Sequence, residues 1–179
     1  MNKLESYEVF RISDNEITFK TQSNTFYDVY FLDRNDFLSS KVVVNFPSLR
    51  LLEFGFDRFM FEKNCYDPII SSTLIQILNN TDWDNTIIFS RVYNPVGNHI
   101  ALNRVYIKNL KRYNTNFDSY SIEIKTNDEY FILIVYYSKK SNITTQSFFE
   151  IINETIANVI CNSTILHINI FCINTNMSY

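Results

Sequence analysis

The sequence predicts an α+β fold, with an antiparallel or mixed sheet of about six to nine strands packed against three helices. Two observations lead to this class. Runs rich in β-branched and aromatic residues fill the first third of the chain, and helical periodicity then alternates with further apolar runs. No linker, repeat or block of like charge divides the 179 residues, of which 46% are hydrophobic. We therefore expect a single domain over residues 1–179, large enough to bury a core without disulfides.

The N-terminal part of the chain is predicted to consist of strands. Runs of strand-forming residues lie at 7–12, 16–20, 25–31, 42–46 and 49–56. Asp14 and Asn15 are typical turn residues and predict a hairpin between the first two runs. Pro47 is expected to end the fourth strand, and Gly55 to mark a bulge in the fifth.

The first helix is predicted over residues 67–80. Asp67 suits the cap position, and Pro68 suits the first helical position. The next run, residues 86–93, offers no polar face to water and therefore predicts a central strand with Phe89 in the core. A turn is expected at residues 94–97.

The second helix is predicted over residues 98–113. Leu102, Val105, Tyr106 and Leu110 recur at helical spacing, so this side is expected to pack on the sheet.

The remaining elements are a hairpin, a helix and a tail. A loop is expected at residues 114–119, followed by paired strands at 120–124 and 130–136. The third helix is predicted at 145–160, because Ser147 and Glu150 have capping-box spacing ahead of an apolar periodic run. Residues 161–179 are expected to form an edge strand or a flexible tail.

Composition excludes several classes of protein. The two glycines, Gly55 and Gly97, stand apart, whereas phosphate loops and dinucleotide-binding turns need closely spaced glycines. No apolar run is long enough for a transmembrane helix, and the N-terminus lacks the segments of a signal peptide. The three cysteines are therefore expected to be reduced thiols. We expect a cytoplasmic protein that uses no cofactor and does not act on membranes.

The second helix carries the strongest candidate contact site. Four basic side chains occupy one arc of it, and two tyrosines are available for stacking: Arg104, Lys108, Lys111 and Arg112, with Tyr106 and Tyr113. Such a surface can contact the phosphates and bases of a nucleic acid. The alternative is a solvated helix face, with Lys111 and Arg112 favoured by the helix dipole.

Other polar residues give weaker indications of an active site. Asp67, Asp82 and Asp84 could bind magnesium or transfer protons, although a cap and a polar loop explain them equally well. His99 has no evident nucleophile as partner, and the spacing of His167 from the cysteines matches no known zinc site. Cys65 precedes the first helix and is more simply read as a small buried residue. We expect no catalytic residues and no metal, with a metal-dependent hydrolase as a remote alternative.

Three short motifs carry a resemblance to a known family: Phe19-Lys20-Thr21, Tyr27-Asp28-Val29-Tyr30-Phe31 and Arg104-Val105-Tyr106. On these motifs the chain resembles a family of small bacterial domains of unknown function found mainly in Bacteroidetes. The resemblance implies a small cytoplasmic bacterial protein and supplies no activity.

The function predicted from the sequence is protein binding. The chain holds 16 Phe and 12 Tyr, more than a small core readily hides, and its strand-rich half leaves sheet edges that a partner can pair with. We expect a non-enzymatic protein that binds another protein or itself, as immunity proteins, antitoxins and accessory proteins of defence systems do. The alternative is nucleic-acid binding through residues 98–113, although the net charge of −3 does not favour it.

Overall fold

A computed structural model of the chain describes residues 5–59, 67–80, 84–92, 99–113, 116–127, 129–160 and 164–173, apart from the side chain of His99. The strands are β1 Val9–Ser13, β2 Glu16–Lys20, β3 Phe26–Asp33, β4 Arg50–Phe59, β5 Thr86–Arg91, β6 Phe117–Thr126, β7 Tyr130–Ser138 and β8 Ile165–Cys172. The helices are α1 Ser40–Asn45, α2 Pro68–Asn79, α3 His99–Tyr113 and α4 Thr145–Val159, and a 3₁₀ turn at Asn35–Phe37 precedes α1.

The described strands form one mixed sheet, as the sequence predicts. Their spatial order is β1-β2-β3-β4-β5-β7-β6-β8. The first four strands are an antiparallel meander. Strands β4 and β5 are parallel, with α2 as the connection between them, and the remaining pairs are antiparallel.

Helices lie on both sides of the sheet, so the molecule has two cores. Helices α2 and α3 cover one side, where Ile88 of β5 is fully buried. Helices α4 and α1 cover part of the other side, where the adjacent Ile87 and Phe89 are buried. Because successive residues of a strand point to opposite sides, a strand between two cores needs apolar residues on both sides, which Ile87, Ile88 and Phe89 supply. Its central placement confirms the prediction made from residues 86–93.

Helix α2 forms where its capping residues predict. The side chain of Asp67 accepts a hydrogen bond from the backbone N–H of Ile69, and Pro68 occupies the first turn. The described tail is the edge strand β8, which pairs with β6.

The strand predicted at residues 42–46 is wrong, because this segment is helix α1. Ser39 caps the helix by accepting a hydrogen bond from the backbone N–H of Val42 at 3.3 Å. Val42 is buried, whereas Val44 is 77% exposed. The short helix ends before Pro47 and buries Val42, the one valine that lies beside a core. This burial and the Ser39 cap outweigh the β propensity of Val43 and Val44.

The buried side of α3 also differs from the prediction. Val105 is exposed, whereas Asn103 and Asn109 are buried. The amide Nδ2 of Asn103 donates a hydrogen bond to Ser121 Oγ at 3.0 Å, which removes the cost of burying it. The helix is therefore rotated toward a polar partner on β6.

Three local predictions are corrected as well. Thr144, not Ser147, caps α4, since its side chain accepts the backbone N–H of Ser147. The pairing of β3 with β4 runs through Gly55 without a bulge. Strand β6 begins at Phe117, inside the predicted loop, because Phe117 is buried in the first core.

Some predictions lie outside the described residues, namely the turn at 94–97 and the surroundings of Cys65 and Asp82. Among the helices that the structure does describe, none has the length and apolarity needed to cross a membrane.

Candidate functional site

No described helix covers one side of the N-terminal meander, and we call this surface the open face. Residues opposite each other in an antiparallel ladder point to the same side of the sheet. Phe26 lies opposite Lys20 on β2 and opposite Phe59 on β4, and Phe10 of β1 lies opposite Thr18. Since Thr18 and Lys20 are two residues apart, all these side chains share the open face.

The open face exposes large apolar side chains. Phe10 is 54% exposed and Phe59 is 50% exposed, and Phe26 and Leu32 are also exposed. The opposite side of β3 is buried beneath the first core. A group of exposed apolar side chains on one surface is typical of an interaction site.

The open face is also acidic. Asp28 of β3 lies directly opposite Asp57 of β4, and Glu16 projects from β2 on the same side. None of the three carboxylates makes an ion pair within the described part of the chain. Lys20 is the cation among them, and its ammonium lies 5.2 Å from the centre of the Phe26 ring. The surface therefore combines apolar groups with excess negative charge.

A charge cluster marks the border between the open face and the covered half. Glu53 accepts a hydrogen bond from Arg34 Nε at 2.8 Å and lies 3.1 Å from Arg91 Nε. Two guanidiniums on one mostly buried carboxylate hold the ends of β3 and β5 against the interior of β4.

Next to this cluster, the ring of Tyr30 lies over Gly55, where a Cβ would overlap it. Desolvation by burial raises the pKa of the Tyr30 phenol, and the nearby Asp57 and Glu53 add to this effect. The phenol therefore stays neutral at pH 7 and offers a hydrogen-bond donor at the edge of the open face.

Helix α3 presents the basic surface expected from the sequence. Arg104, Lys108, Lys111 and Arg112 are all exposed, and none forms an ion pair with a described carboxylate. The two tyrosines are less accessible. Tyr106 packs against the first core, and Tyr113 is half-buried with the Arg112 guanidinium 5.1 Å from its ring centre. Four cations thus form the surface, without an exposed stacking platform from Tyr106.

Of the acidic residues singled out near the first helix, Asp67 is held by structural contacts, and Asp82 lies outside the described residues. Asp67 Oδ2 accepts a hydrogen bond from the Tyr7 hydroxyl at 2.5 Å, in addition to capping α2. Burial and this hydrogen bond raise the pKa of the Tyr7 phenol. Asp84 is exposed in the turn before β5. Among the described residues, no group of three His, Cys, Asp or Glu side chains could hold a metal ion.

Among the described side chains, His167 and Cys172 belong to no catalytic arrangement. His167 lies exposed on β8, and its Nε2 is 2.9 Å from Asn169 Oδ1. Cys172, near the end of the same strand, is an exposed free thiol. His99 is the first residue of α3, and its side chain lies outside the described atoms.

Comparison with known proteins gives no match: no family model, no curated protein and no solved structure is significantly similar to this chain. The arguments for function therefore rest on the geometry of the molecule.

Sequence reasoning missed the open face. Residues 26–32 are apolar at nearly every position, so alternation does not reveal which side is covered. The available indication was the placement of Asp28 among apolar neighbours, since a carboxylate in mid-strand requires a partner or solvent.

Proposed function

We propose that the protein is a non-enzymatic binding module that holds a partner protein against its open face. The observation that carries this proposal is the exposure of Phe10, Phe26 and Phe59 on one uncovered side of the sheet. Burying such side chains contributes about 25 cal/mol for each Å² of apolar area removed from water. Aromatic residues are enriched at interfaces for this reason.

The charge of the open face selects the chemistry of the partner. Asp28 and Asp57 repel each other across the ladder, and a lysine or arginine placed between them would relieve this repulsion. The partner surface is therefore apolar and basic.

The same charges disfavour pairing of two open faces. In a two-fold dimer each surface meets its own copy, so Asp28 and Asp57 would approach identical carboxylates. We therefore infer that the partner is a different protein. Within this proposal the module acts in the bacterial cytoplasm, in the manner of an immunity protein, an antitoxin or an accessory factor of a defence system.

The test is a quantitative capture of proteins from the native host by matched variants. Asp28→Lys/Asp57→Lys reverses the charge, and Phe10→Ser removes an exposed ring. Val44→Ser is the control, since Val44 is more exposed than Phe10 but lies on α1. The proposal predicts a protein retained by wild type and by Val44→Ser and lost from the other two variants. Equal retention by all variants would refute it, as would a dimer of the isolated chain in light scattering.

A second candidate function is nucleic-acid binding by α3. The specific observation is the set of four exposed cations that have no described carboxylate partner. Binding of this kind weakens steeply as salt rises. Polarisation of a labelled single-stranded RNA at low salt, with the triple variant Arg104→Ala/Lys108→Ala/Arg112→Ala as comparison, separates the two functions. Absence of binding at low salt would exclude this candidate.

A further inference from the structure

The first core contains a cavity of about 400 Å³ between the sheet and helices α2 and α3. Protein interiors are close-packed, and voids much larger than a water molecule are few. The cavity lies within the range of sizes that small-molecule sites occupy. Its lining reaches the edge of the open face at Tyr30 and Asp57 but includes none of Phe10, Phe26 and Phe59.

The cavity forms because two parallel strands separate. The ladder between β4 and β5 ends at Glu53 and Phe89, after which β4 continues with β3 alone. The cavity lining begins at this point, with Glu53 on β4 and Ser90 on β5. In open sheets, the gap at the carboxyl ends of parallel strands is a common place for ligands.

The walls of the cavity are mainly apolar. Leu74, Ile75 and Leu78 contribute from α2, and Leu110 contributes from α3. These side chains are buried, so they favour an apolar body over water.

An unpartnered polar group faces this apolar space. Asn109 of α3 is 7% exposed and lines the cavity, yet its Nδ2 donates no hydrogen bond within the described structure. The Oγ of Ser90, on the facing strand, also has no hydrogen-bond partner of acceptable geometry, although it lies beside the Tyr136 phenol. Buried polar groups are nearly always satisfied, so these two call for an explanation.

The titratable groups inside the cavity are neutral at physiological pH. Burial raises the pKa of Tyr106 to about 12. Burial likewise raises the pKa of Tyr136, with the Ser90 hydroxyl opposing the shift in part. The lining also includes three charged residues, Glu53, Asp57 and Arg91. They alternate along their strands with residues that point into the first core, so their side chains lie on the opposite side of the sheet.

We infer that this cavity binds a small, uncharged and mainly apolar molecule that carries a carbonyl-like acceptor, and that Asn109 Nδ2 donates a hydrogen bond to that acceptor. The apolar walls on the helix side disfavour an ion, and the unpartnered amide fixes the orientation of the ligand.

The probe that tests this inference is 6-propionyl-2-dimethylaminonaphthalene, an uncharged naphthalene ketone whose emission shifts to the blue in apolar surroundings. We expect saturable binding of one probe per chain with blue-shifted emission. Asn109→Leu is expected to weaken this binding about tenfold, because it removes the donor. Ser71→Phe is expected to abolish it, since Ser71 lines the cavity and a ring would fill the space.

Two control variants separate this site from other effects. Asn103→Leu makes the same substitution at a buried position of α3 that hydrogen-bonds Ser121 and does not line the cavity. It should lower the melting temperature and leave probe affinity unchanged, whereas Asn109→Leu should raise the melting temperature. Phe10→Ser on the open face should also leave affinity unchanged. Two results would overturn the inference: no saturable binding of the probe, or binding that neither Asn109→Leu nor Ser71→Phe changes. Either would show that the cavity holds water only.

Discussion

Asp28 and Asp57 lie directly opposite each other on β3 and β4, on the part of the sheet surface that no described helix covers. Like charges in this arrangement destabilise a sheet, and neither carboxylate has an ion-pair partner in the described structure. The isolated protein therefore carries a repulsion that a cationic partner would remove. This relationship links the stability of the chain to its proposed binding.

Asp57→Asn should stabilise the isolated protein by about 0.2–1 kcal/mol, because it removes the cross-strand repulsion. Urea unfolding at low ionic strength measures the change, and 1 M salt should shrink it by screening. Glu129→Gln removes an exposed carboxylate elsewhere and should have little effect. An unchanged or lowered stability in Asp57→Asn would show that the pair does not repel.

Phe89→Ala should destabilise the protein by about 3–5 kcal/mol, as truncation of a buried aromatic residue does. Phe89 is 2% exposed and lies on the central strand β5. The urea midpoint measures the loss, and Val44→Ala serves as the exposed control. A shift no larger than that of Val44→Ala would contradict the placement of β5.

Gly55→Ala should destabilise the protein by about 1–3 kcal/mol, since the added methyl group collides with the Tyr30 ring. Gly55→Ala should cost less stability when it is added to Tyr30→Ser than when it is added to wild type, because the ring is then absent. Thermal unfolding of the four proteins in this cycle measures the coupling. Additive effects would mean that the ring does not lie over the glycine.

Tyr106→Phe should make the protein less sensitive to alkaline pH. Burial raises the pKa of Tyr106 from 10.0 to about 12, so the unfolded chain loses this proton first as the pH rises. Ionisation then favours the unfolded state, and stability falls progressively between pH 10 and pH 12. Melting temperatures across this range should decline less steeply in Tyr106→Phe than in wild type. Parallel curves would contradict the burial of this phenol.

Local sequence was sufficient to predict elements whose own residues specify them, such as a helix with its capping residues. The capping and first-turn residues of α2 are adjacent in sequence, and β5 has three successive buried apolar residues, Ile87, Ile88 and Phe89. Helix α1 was missed because β propensity favours three successive valines, whereas the outcome depends on the Ser39 cap and on a core that accepts only Val42. Boundaries such as the start of β6 depend in the same way on contacts distant in sequence.

The open face and the buried side of α3 both depend on contacts between residues that are far apart in the sequence. The open face exists because α4 packs over β5, β6, β7 and the start of β4 at Leu51, and not over the rest of the meander. The buried side of α3 follows from the bond between Asn103 and Ser121, which are 18 residues apart. Apolar periodicity alone therefore assigned Val105 to the core and overlooked Asn109.

The measurement that tests the open face most directly is photo-crosslinking from a benzoylphenylalanine placed at position 26, compared with the same group at position 44. Both positions are exposed, but only position 26 lies on the open face. The proposed function predicts a discrete adduct with another host protein from position 26, absent from position 44 and lost when Asp28→Lys/Asp57→Lys is added. The same adducts from both positions, or adducts only between copies of this chain, would contradict it.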